Sequence, residues 1–130
     1  MAIQRILVVF LQRPQQESTI DEDVAWICKA LGFADDEHDL ATFIFKSIID
    51  ASKNSEGITS KEIADKTQVT QAAIIYHLNS FIRTGLVVKD GRNYRLRASS
   101  LDESFEELQL ELMNRIDKMR TVAQRIDGQV

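Results

Sequence analysis

A chain of 130 residues, 44% hydrophobic and 28% charged with 5 Gly and 1 Pro, can build one buried core but not two, and its composition excludes disorder and fibrous repeats. Its single cysteine, Cys28, excludes an intramolecular disulfide or a multi-thiolate metal site and suits a reducing cytoplasm. The net charge of −4 argues against a uniformly basic nucleic-acid coat, yet residues 57–97 hold 7 basic and 3 acidic residues, so positive charge is concentrated there.

In chain order, the apolar run Ile3 to Leu11 is too short to span a bilayer and lacks a small-residue cleavage site behind it, so it reads as a buried strand. A loop follows. Thr19 and Glu22 have capping-box spacing, and a helix is expected from about Ile20 to Leu31, with Ile20, Val24, Ile27, Cys28 and Leu31 on one side. Gly32 stands where a left-handed cap belongs. The acidic run at 34–39 suits the positive start of a second helix, whose apolar stripe is Leu40, Phe43, Ile44, Ile48 and Ala51. His38 lies inside this run, but consecutive helical residues diverge, so no metal site is expected there.

Gly57 to Thr59 can form a short strand, and Thr59 with Glu62 makes a second capping box for a helix of about eight residues. Lys66 to Val69 is a turn. Thr70 then caps a helix that runs to Thr84 and is terminated by Gly85. In this helix Ile74, His77, Leu78, Phe81 and Ile82 share one face, and Ala72, Tyr76, Asn79 and Arg83 share another. Beyond Gly85 the period changes to that of strands, LVVK and YRLR, joined by DGRN.

The last segment differs in kind. Ser100 caps a helix with apolar residues at 101, 105, 108, 112, 119, 122 and 126, a coiled-coil seam that Arg115 interrupts beside Ile116. Such a stripe calls for a second copy, through Leu101, Phe105, Leu108, Leu112, Ile116, Met119, Val122 and Ile126. Acids crowd its first half and bases its second. Antiparallel pairing accounts for that polarity, and so does the helix dipole alone.

Ile74, Ile75, Tyr76, His77, Leu78 and Phe81, followed by Gly85, Leu86 and Val87, resemble the recognition-helix phrase of prokaryotic winged helix-turn-helix transcriptional regulators of the ArsR, MarR and TrmB kind. The resemblance is strongest over residues 57–97, with the helix at 36–52 as first helix. Together with the flanking elements read above, it gives an α+β, mostly α fold with three parts: an N-terminal strand and helix extension (1–35), a winged helix-turn-helix domain with a small antiparallel β wing (36–98), and a long C-terminal coiled-coil dimerisation helix (99–130).

It also implies a cytoplasmic homodimer on double-stranded DNA. Thr70, Gln71, Ala72, Ile75, Tyr76, Asn79 and Arg83 would serve the major-groove helix, Lys61 would lie near the backbone-contacting helix, and the wing would supply Lys89, Arg92, Arg95 and Arg97. Gln71 and Asn79 each offer a donor and an acceptor to adenine, Ala72 or Thr70 can meet a thymine methyl, and wing arginines set register on phosphates. The first half of the recognition helix has no Arg or Lys to take guanine. Against the family pattern, Ile75 stands where a small or polar residue is common, and the turn between the two helices has no Gly.

The family's cysteine-containing metal motif is absent, so neither metal nor cofactor is expected. No Gly-rich phosphate loop, His-Glu-x-x-His arrangement or nucleophile elbow occurs, and there are only 2 histidines, so an enzyme is not expected either. The competing class is a winged helix used as a protein–protein interaction module without specific DNA binding, which the acidic chain and an apolar Ile75 would suit.

Overall fold

The computed structural model describes residues 17–33, 40–54 and 56–129. The expected strand at Ile3 to Leu11 and the acidic start of the second helix lie outside the described residues. The described elements, in order, are α1 (Ile20–Ala30), α2 (Leu40–Ser52), β1 (Ile58–Thr59), α3 (Ser60–Asp65), α4 (Gln71–Thr84), β2 (Val87–Asp90), β3 (Asn93–Leu96) and α5 (Leu101–Asp127). They make a mostly helical α+β fold with one small antiparallel sheet.

Local chemistry sets the element boundaries. The Thr19 hydroxyl accepts from the Glu22 amide to open α1. At α3 the capping box is complete, with Thr59 Oγ1 accepting from Glu62 N while Glu62 Oε1 accepts from Thr59 N. Thr70 Oγ1 accepts from Ala73 N to open α4, and Gly85, at φ +89°, closes it in the left-handed conformation that a Cβ disfavours. The sheet has the order β1-β3-β2, with Ile58 opposite Tyr94 and Val87 opposite Leu96. Those four side chains are buried, so one face of the sheet belongs to the core.

That core is built on Phe45, Ile44 and Ile48 of α2 and on Ile74, Leu78 and Phe81 of α4, all fully buried. Phe81 stacks between Phe33 and Phe45, with centroids 4.3 Å and 4.8 Å away. Pairs of this geometry add about 1 kcal/mol each beyond their area burial. Two predicted helix faces shift slightly. Ile20 is exposed in the first turn of α1, and Phe45, which the apolar stripe of α2 omitted, is among its most buried residues.

Three hydroxyls tie the elements together. Ser52 Oγ accepts from Leu96 N at 2.9 Å, joining the end of α2 to β3. Thr84 Oγ1 accepts from Leu86 N at 3.2 Å. The fully buried Ser104 donates to Ser100 O and accepts from Ala98 N, which docks the start of α5.

Candidate nucleic-acid interface

The outward face of α4 is the candidate site, and its exposure follows from burial of the opposite face. With Ile74, Leu78 and Phe81 pinned in the core, residues turned by about half a revolution must face out. Ala72, Tyr76, Asn79 and Arg83 are all exposed, Tyr76 at 67%. Arg83 Nη2 donates to Ser80 Oγ at 3.1 Å, which steadies the guanidinium along the helix. Ile75 is half-buried, at the boundary between core and surface. His77 is half-buried as well. Its Nδ1 is shielded from solvent without a hydrogen-bond partner, and its ring meets that of Tyr76 edge-on at 5.6 Å.

At the start of α4, Thr70 and Gln71 are exposed. Gln71 Nε2 donates to Ser60 Oγ at 2.9 Å, bracing the first turns of α3 and α4 against each other. The second N–H of that amide and its carbonyl oxygen remain free for a two-point contact with adenine. Lys61 is exposed on α3.

The four basic residues of the hairpin separate into distinct roles. Arg92 is exposed in the turn between β2 and β3. Lys89 lies opposite Tyr94, with its ammonium 5.5 Å from the ring centroid, a cation–π contact that holds it at the sheet edge. Arg95 is half-buried and donates to Leu96 O at 3.2 Å.

Arg97 is engaged by partners within the chain. Its Nε donates to Glu107 at 3.1 Å, while Nη1 donates to Glu111 at 2.8 Å and to Gly85 O at 3.3 Å. Glu111 holds the Arg97 guanidinium above its ordinary range, and Arg97 in turn holds the Glu111 carboxyl below the usual carboxylate range. A guanidinium already shared between two carboxylates has little to offer a phosphate. Sequence reading missed this clamp. Its only trace is the pair of acids four residues apart at 107 and 111.

The expected dimer residues also divide. Leu108 is 9% exposed, and Leu101, Phe105 and Leu112 are half-buried against the chain's own core. Ile116, Met119, Val122 and Ile126 are exposed on the part of α5 that extends past the body.

A second concavity, about 1000 Å³, runs between α1 and α2 to the start of α3. Asp21, Glu22, Asp50 and Glu62 line it, and Lys46 is paired with Asp21. Asp21 raises the Lys46 ammonium above its usual value. With Glu56 the lining has five carboxylates against two ammonium groups, Lys46 and Lys66, a balance that disfavours phosphate. Among the described residues no group of three or more metal-ligating side chains converges, and no helix is long and apolar enough to cross a membrane.

The chain matches no protein-family model, no curated protein and no solved structure.

Proposed function

We propose that the protein is a winged helix-turn-helix transcriptional regulator that binds duplex DNA as a homodimer, with α4 in the major groove and the β2-β3 hairpin as wing. The observation that carries this reading is the outward face of α4. Ala72, Tyr76, Asn79 and Arg83 form a continuous exposed stripe on a helix whose other face anchors the core. A helix so anchored presents its side chains rigidly, which sequence readout demands.

In this reading Asn79 takes adenine through its amide, Tyr76 reaches phosphate or base, and Ala72 meets a thymine methyl. Lys61, Arg83, Arg92 and Lys89 supply phosphate contacts from three elements, with Arg95 a lesser contributor because it is half-buried. Arg97 instead positions α5. Few cations are involved, so nonspecific affinity is modest and salt-sensitive.

The protein-binding alternative draws on one observation, the large exposed ring of Tyr76 beside the half-buried Ile75. Binding to a random duplex across a salt series separates the two. DNA readout gives affinity that falls steeply with salt, and Arg92→Ala with Arg83→Ala flattens the log–log slope by roughly one unit per residue. Absent or salt-insensitive binding favours the protein partner.

A further inference from the structure

We infer that the homodimer forms by antiparallel pairing of residues 112–126 of α5 with the same segment of a second copy, crossing at Met119. The inference rests on the dimer part of the proposed function and is independent of DNA recognition.

Only part of the apolar face of α5 is free. At about 100° per residue, Leu101, Phe105, Leu108 and Leu112 project within roughly 30° of one direction, and Met119 and Ile126 project along that same direction. The first four are packed against the body, while Met119 is 57% and Ile126 60% exposed. One continuous apolar face therefore covers the core in the first turns of α5 and then runs past the body's edge. A mate seated on the free part lies on the same side as the body.

This placement decides the orientation. A parallel mate in register would have to run its own residues 101–112 along a face that the body already occupies. A staggered parallel mate would leave one stripe uncovered and build open filaments. An antiparallel mate meets neither obstacle, because its first turns lead away beyond the partner's C-terminal end.

The pattern of residues points to a second copy of this chain. Leu112, Ile116, Met119, Val122 and Ile126 follow steps of four, three, three and four, which read the same in both directions about Met119. A twofold crossing there sets Ile116 opposite Val122, apolar on apolar, and brings Ile126 to the edge of the mate's body beside its half-buried Leu112. Arg115, which interrupts the seam, falls opposite the small Ala123, and Glu111 already holds its guanidinium aside at 2.8 Å. Lys118, Met119, Val122, Ala123 and Ile126 border a shallow apolar groove that the mate would fill.

The test uses the full chain in a Cys28→Ala background, with a nitroxide on Asp127→Cys and pulsed dipolar spectroscopy at about 100 µM. Antiparallel pairing puts the two labelled positions about 24 Å apart along the helix axis, giving a distance peak near 25–35 Å. A peak below 20 Å means parallel pairing and overturns the inference. So does the absence of any dipolar signal together with a monomer in sedimentation. Met119→Glu is expected to give a monomer with an unchanged melting temperature, because that side chain leaves the body untouched. Retained dimerisation in that variant would move the interface elsewhere and sink the proposal. Salt-dependent DNA binding by a chain that does not dimerise leaves the DNA-binding part of the functional reading standing and removes its homodimer, whereas an antiparallel dimer without DNA affinity leaves this inference standing.

Discussion

Gly57 lies at φ +89°, and an added Cβ would come within 2.5 Å of the Tyr94 carbonyl oxygen. Both the backbone conformation and the β1-β3 approach exclude a side chain. Gly57→Ala is therefore expected to lower stability by roughly 2–3 kcal/mol, read from denaturant unfolding, with β1 pairing weakened first. Cys28 is a second residue with a definite expectation. Burial pushes its thiol up to about 12, against a smaller lowering by the Thr42 hydroxyl. It should resist thiol reagents at pH 8 in the native state and label fully in denaturant. His77→Leu removes a buried nitrogen that lacks a partner and is expected to be neutral or to stabilise by about 1 kcal/mol. At this scale, whatever depends on neighbours three or four residues away was legible. The Thr59 and Glu62 box follows from spacing alone, as does the terminating role of Gly85. The clamp on Arg97 was not legible because its partners Glu107 and Glu111 lie on another element and meet it only after packing.

The separation of α5 into a docked half and a free half is a matter of elements. Its apolar seam is continuous in sequence, so periodicity identified the helix and the partner-seeking face but not where the body's own claim on it ends. Ser104, Leu108 and the Arg97 clamp mark that limit. The clamp also carries a pH dependence. The Glu111 carboxyl is depressed in the folded chain, so its contribution is present above the ordinary carboxylate range and is lost as pH falls through the lower folded value. Docking of α5 should thus weaken in acid, below about pH 4. Proteolysis after residue 97 measures it, and Glu111→Gln should give the wild type's acid sensitivity at neutral pH. The apolar stripe of α2 was misplaced for a related reason. Its buried face, Ala41, Ile44, Phe45 and Ile48, is rotated from the predicted one and leaves Phe43 exposed, because α4 and β3, as well as α1, cover α2.

At the scale of the whole molecule, two bodies at opposite ends of an antiparallel helical rod would stand about 40 Å apart, counting 1.5 Å per residue from position 105 of each copy. That is somewhat more than one turn of B-form DNA, so two half-sites would be read from successive turns with some bending. Order and sign of charge along the chain made the basic region legible, but not the clamping of Arg97 by α5 or the bracing of Gln71 by Ser60. The central claim is that the outward stripe of α4 faces DNA. Backbone amide chemical shifts of the labelled full chain, followed while a random duplex of about 20 base pairs is added at low salt, test it most directly. The account predicts perturbations gathered at residues 70–79 and around Arg92, fading as salt is raised. Shifts confined to α5 or to the groove beside Lys46, or none at all, would contradict it.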